Sequence, residues 1–169
     1  MPRSPLASVG ATRTTRGAPL DVTALTTTAD EQVQRLQADL RLGLPVVLTT
    51  PDGALLVAAA ETLGEARFRT LAASGAAELV LTVRRAAAFA ATAPAEHAVL
   101  RLAVPGDADY AWLAALAGLN TPVPAAEDAT PPALEAADEH QTTAIALARA
   151  ARLLPAVLTV PLDAATATA

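Results

Sequence analysis

Few residues in this 169-residue chain could do chemistry, and their spacing narrows the choice further. The one suggestive cluster is His140-Gln141-Thr142-Thr143, which follows Asp138-Glu139 at the start of a helically periodic stretch. At a helix start, backbone N–H groups with two hydroxyls and an imidazole could hold a phosphate. The same residues also suit plain capping. Asp138 and Gln141 have the spacing of a capping box, which would leave the threonines facing solvent. His97 opens an expected strand with no acid at a useful spacing and reads as a surface residue. Asp107 and Asp109 could be a metal pair, but a helix N-terminus favours acids without any metal. Tyr110 and Trp112 lack basic neighbours, so they read as core anchors and not as a platform for stacked bases. No serine sits in a Gly-x-Ser-x-Gly turn, and no glycine-rich phosphate loop is present. The chain has no cysteine, which excludes disulfides, thiolate zinc sites and thiol catalysis within it and suits a cytoplasmic protein.

The elements that must position these residues are built from small side chains. The chain is 53% hydrophobic but only 2% aromatic, so Ala, Leu and Val must make the core and helices must pack closely. All twelve basic residues are Arg, and the net charge of −5 argues against nucleic acid as a partner. The one adjacent basic pair, Arg84-Arg85, reads as a solvated helix start. No apolar run reaches the roughly 20 residues that span a bilayer, so no membrane role is expected.

The organising stretch is Leu44 to Glu61, two apolar runs around the turn Pro51-Asp52-Gly53, which reads as a β-hairpin at the centre of a sheet. Leu55 to Ala60 is apolar at consecutive positions, as in a strand covered on both faces. Before it, Thr28 to Glu31 matches a capping box and opens a helix that Gly43 closes. After it, Thr62 to Glu65 resembles a second box, followed by a helix with Phe68, Leu71 and Ala72 on its buried face. Strands are expected over Glu78–Val83 and His97–Val104, with a short helix over Arg84–Ala91 between them. A helix capped by Asp107 and ended by Gly118 comes next. Residues 120–137, with four prolines, read as a flexible loop. The helix after Asp138 leads to a last strand from Ala156 to Val160 that Pro161 ends. Residues 1–25 read as a disordered leader with some flavour of a transit peptide. Residues 26–162 form the domain, and residues 163–169 begin a linker or tail. The fold class is α+β, an α/β sandwich with a mixed sheet, a central hairpin and covering helices.

Two pieces resemble 3,4-dihydroxy-2-butanone 4-phosphate synthase, a riboflavin-biosynthesis family. From Val33 to Thr82 the chain has that family's order: a helix, GLPVVLTT, an apolar strand with AAE, a helix and LVLT. The second piece, HQTTAIALARAARLLPAVLTVPL from His140 to Leu162, is similar to the family's closing helix and strand. The framework matches are Leu147, Ala148, Arg149, Leu153, Pro155 and Ala156. The departures fall on the chemistry. The family's acidic, magnesium-binding loop is reduced here to a turn with Asp52, and one carboxylate cannot hold a hard cation that needs several oxygens. The family's catalytic Glu on the last strand aligns with Pro161, and the Glu of its His-Thr-Glu pattern aligns with Thr142. Only His140 keeps its identity.

A degenerate synthase-like domain of this kind resembles the N-terminal region of some bacterial GTP cyclohydrolase II proteins. The resemblance implies a non-catalytic portion that dimerises or docks a C-terminal cyclohydrolase module, with His140, Thr142 and Thr143 as a vestigial phosphate site and Asp52 as a vestigial acidic loop. The synthase family is homodimeric, so self-association is implied. No cofactor is expected in this chain, since zinc and magnesium would belong to the missing or lost catalytic parts. The chain stops where a cyclohydrolase module would begin, as a front half or a stand-alone version would. Two alternatives stay open: a stand-alone regulatory module with a phosphate ligand near His140, and a residual synthase.

Overall fold

The computed structural model describes residues 26–50, 53–90, 96–119 and 133–163. Their order is α1 (Ala29–Arg41), β1 (Val46–Thr50), β2 (Gly53–Ala59), α2 (Glu65–Ala72), β3 (Glu78–Thr82), α3 (Val83–Ala86), β4 (Val99–Ala103), α4 (Tyr110–Ala117), β5 (Glu135–Ala136), α5 (Glu139–Ala150) and β6 (Ala156–Leu162). The strands form one six-stranded sheet in the order β1-β2-β6-β3-β4-β5. The leader, the turn residues Pro51 and Asp52, most of the 120–137 loop and the tail after Asp163 lie outside the described residues.

The fold is α+β, as expected, but two features of the sheet differ from the expectation. Every pairing is antiparallel, so the sheet is not mixed. One crossover does join strands that run the same way: α2 links β2 to β3, and the oppositely directed β6 lies between them. The hairpin also lies at one edge instead of the centre. Its second strand is interior, which explains the apolar run from Leu55, while β1 has a neighbour on one side only.

Helices cover both faces. Over one face, α1 and α5 bury Leu40, Ala144, Ile145 and Ala148 against Val46, Val57, Val80 and Val157. Over the other, α2, α3 and α4 bury Phe68, Ala86, Leu113 and Leu116 against Leu79, Leu81, Leu100 and Leu158. Alternation along each strand sends successive side chains to opposite cores. Aromatics are few, and one of their contacts is central: Phe68 meets Tyr110 edge-on, with centroids 6.2 Å apart. This bears out the reading of Tyr110 and Trp112 as core anchors, since both pack against that core. No helix among the described residues is long and apolar enough to cross a membrane.

Local signals fared unevenly. Thr28 and Glu31 form the expected capping box, and the Thr28 N–H and hydroxyl hold the Glu31 carboxyl below its usual pKa. The second expected box is absent. Thr62 instead donates its hydroxyl to the Leu40 carbonyl at 2.5 Å, and α2 starts after Gly64 with no side-chain cap. Asp109, not Asp107, caps α4 by accepting from the Trp112 N–H at 2.8 Å. Pro161 lies inside β6, opposite Leu55. The β3 pairing ends at Thr159, so at Pro161 the strand has one neighbour, where a missing N–H removes no bond on the open side. The helix expected from Arg84 is the single turn α3, and its Arg85 is no solvated charge. Arg85 reaches across to donate Nε to Leu116 O at 2.7 Å and an Nη to Ala115 O at 2.5 Å. A cation there satisfies carbonyls that the end of α4 leaves open and suits the negative end of its dipole.

The left-handed glycines make a graded prediction. At Gly43 (φ +71°) an added Cβ would lie 2.3 Å from the Thr62 carbonyl oxygen, whereas at Gly75 (φ +69°) it would meet nothing within 4 Å. Gly75→Ala carries only the left-handed penalty and costs about 1 kcal/mol. Gly43→Ala adds a backbone clash and costs about 2–3 kcal/mol. Urea unfolding midpoints of the two variants check the difference, and equal midpoints would contradict it.

Candidate functional site

The start of α5 holds the residues with the best claim to chemistry. Asp138 is the N-cap and forms a full capping box with Gln141. Its Oδ1 accepts from the Gln141 N–H at 2.7 Å, and its own N–H donates to Gln141 Oε1 at 3.1 Å. The Thr142 hydroxyl donates to Asp138 O at 2.8 Å and the Thr143 hydroxyl to Glu139 O at 2.9 Å. Both threonines are exposed and His140 is half-buried. The three residues of the expected phosphate site are thus together on one helical turn. The hydroxyls are turned back onto the helix, and the Asp138 carboxylate occupies an amide that a phosphate would need.

The residue that the sequence reading treated only as a cap has the larger role. Gln141 is 2% exposed. Its Nε2 donates to Glu78 Oε2 on β3 at 2.5 Å and lies 3.4 Å from Thr159 Oγ1 on β6. Glu78 and Thr159 are directly opposed across the β3–β6 ladder. Glu78 also pairs with Arg101 on β4 at 3.2 Å, and Arg101 pairs with Glu135 on β5 at 2.8 Å. Burial works against the Arg101 charge, but the carboxylates of Glu78 and Glu135 outweigh it and raise its pKa above the usual value. The Arg101 Nε is buried with no hydrogen-bond partner among the described residues. The line Glu135–Arg101–Glu78–Gln141–Thr159 ties four strands and α5 into one polar network. Alternation puts these positions on the α1/α5 face, but their pairing is between distant segments, and only a known register would have revealed it.

The other candidates do not converge. His97 is a surface residue whose Nε2 lies 3.9 Å from the adjacent Glu96. Asp107 is exposed, and Asp109 is used as a cap. Asp52 lies outside the described residues, and Pro161 stands in β6 with no acid to offer. An open cavity of about 600 Å³ beside α4 is lined by Glu61, Glu65, Asp109 and Tyr110. Each of its carboxylates already has a partner: Glu61 accepts from the Leu154 N–H at 2.6 Å, Glu65 pairs with Arg69 at 2.6 Å, and Asp109 caps α4. No group of three His, Cys, Asp or Glu among the described residues is placed to hold a metal ion.

No family model matches the chain, and no curated protein does. Among solved structures it is similar to RibBX, a two-domain 3,4-dihydroxy-2-butanone 4-phosphate synthase from A. baumannii, at 18% identity and a TM-score of 0.49. The similarity covers 77% of this chain and 47% of that one, so the chain spans about half the length of that protein.

The polar network makes a pH-dependent prediction. Gln141→Ala removes the buried donor that Glu78 and Thr159 share, leaving Glu78 with Arg101 alone, and costs about 2–3 kcal/mol. Gln141→Glu sets a second carboxylate against Glu78, so its folded-state pKa is raised by burial and like charge. The folded state then binds a proton that the unfolded state releases. The cost of Gln141→Glu relative to the parent is therefore largest at pH 7 and shrinks as pH falls towards 5. Thermal unfolding of both proteins across that range tests this, and a cost that does not change with pH contradicts it.

Proposed function

We propose that this chain is a non-catalytic, synthase-like domain of a GTP cyclohydrolase II-like riboflavin-biosynthesis protein, and that its work is self-association or docking of a cyclohydrolase module. The sequence resemblance supplies the family. The observation that carries the non-catalytic part is the state of the α5 start. The Thr142 and Thr143 hydroxyls are bonded to the helix's own carbonyls, and Asp138 caps the amide that an anion would use. With Glu139 beside it, this helix end presents negative charge, which repels a sugar phosphate. The last strand offers Pro161 where acid–base work would need a carboxylate. On this reading His140, Thr142 and Thr143 are a vestigial phosphate site and Asp52 the remnant of an acidic loop.

Incubating the chain with ribulose 5-phosphate and magnesium should give no butanone phosphate in a colorimetric assay. Turnover that His140→Ala abolishes would overturn the reading in favour of a surviving synthase. Titration with ribulose 5-phosphate or GTP to millimolar concentration should leave the amide chemical shifts of the α5 start unmoved, and saturable shifts there would favour a regulatory phosphate module instead. In a protein that carries the cyclohydrolase module, deleting this domain should reduce oligomer size and thermal stability more than GTP turnover.

A further inference from the structure

Among the described residues, one edge of the sheet is protected and the other is not. β5 is two residues long and carries Glu135, ion-paired to Arg101. Such short, charged edges do not recruit another strand. β1 has five residues, Val-Val-Leu-Thr-Thr, with no charge and no proline. Its register with β2 runs unbroken from Val46↔Val57 to Thr50↔Gly53, so no bulge twists the edge away. Among the described residues it has no neighbour on its outer side. Every second N–H and C=O there points outward without a ladder partner.

The side chains add an apolar contribution. Val46 and Leu48 turn towards the α1/α5 core, so Val47 and Thr49 face the opposite way, where the α2–α4 layer leaves them exposed. Val47 is 39% exposed, and Leu44 and Leu42, which lead into the strand, are 37% and 72% exposed. Three of the five large apolar side chains exposed among the described residues therefore fall within residues 42–47.

We infer that β1 is the strand by which two copies of this chain pair, antiparallel about a two-fold axis, so that the two sheets join edge to edge. The inference rests on the reading of the chain as a self-associating domain and names the surface. A strand that meets its own copy antiparallel presents matching donors and acceptors on both sides, as an isologous contact requires. Electrostatics favours a second copy over a charged partner. Two molecules of net charge −5 repel each other across most surfaces, but β1 brings no like charges opposite each other, and its Val and Thr side chains make favourable cross-strand pairs. A charged partner would find no counter-charge on this strand.

Light scattering of the full chain across a concentration series tests the inference. A species of twice 17.1 kDa is expected. Val47→Lys and Thr49→Lys each place like charges across the junction and should raise the dimer dissociation constant at least about tenfold, with the unfolding temperature retained. Val47→Thr keeps the edge uncharged and should leave the dimer intact. Hydrogen exchange of the parent chain is a readout that needs no variant: the outward amides of Val46 to Thr50 should become more protected as concentration rises. A monomer at every concentration overturns both this inference and the self-association reading. A dimer that neither Lys variant weakens, or whose β1 amides show no concentration dependence, overturns the β1 assignment alone.

Discussion

The structure depends on the insertion of β6 between β2 and β3. Its residues from Ala156 to Val160 are all buried, and it is hydrogen-bonded along both sides. Without it the sheet is two separate pieces, the β1–β2 hairpin and the β3–β4–β5 set. Both cores cross that seam: Leu158 and Val160 complete the α2–α4 side, and Val157 completes the α1/α5 side. The closing strand also lies last in the chain, so its pairing with β2 brings together residues about a hundred positions apart. Contacts of that separation incur loop-closure entropy before they give anything back.

α5 is the device that sets β6 in place. Its capping box fixes the start of the helix, and Gln141, one turn in, reaches down to Glu78 on β3 and Thr159 on β6. A buried amide between two strands is tolerable only with its partners in register, because an unpaired polar group there costs more than the bond contributes. The network is made in the observed alignment of β6 against β3, with Glu78 opposite Thr159. In a core this poor in aromatics, hydrophobic packing alone discriminates weakly between neighbouring registers, and a polar clip adds that discrimination.

What the sequence disclosed follows the same division between near and far. The helices with capping boxes, α1 and α5, were legible because Thr28 and Asp138 find their partners three residues away. The hairpin was legible because a turn joins its strands. The antiparallel character of the whole sheet was hidden, since it depends on which non-consecutive strand fills the gap beneath each crossover. Pro161 was misread for that reason: proline ends a central strand but sits harmlessly where one neighbour has stopped. Arg85 looked like surface charge because its acceptors, Leu116 O and Ala115 O, lie some thirty residues on. Thr62 had capping chemistry but found a carbonyl in α1 first. Of the candidate site, the capping by Asp138 and Gln141 was legible, and the reach of the Gln141 side chain to Glu78 and Thr159 was not. His140, Thr142 and Thr143 do open a helix together, but only the geometry shows the hydroxyls turned back onto it.

The same closure bears on the two edges of the sheet that the described residues form. Filling the gap between β2 and β3 from within leaves β1 and β5 as the sheet edges among the described residues. The polar network that sets the register of β6 also ends at one of them, because Arg101 draws Glu135 onto β5 and charges that edge. Among the described residues no comparable group reaches β1, whose inner side chains feed an apolar core and whose outer ones are Val47 and Thr49. The asymmetry between a charged edge and a bare one is thus a consequence of how the interior is locked. Among the described residues, the polar side chains at the start of α5 are committed to structure, and β1 is the sheet edge that carries neither a charge nor a pairing strand.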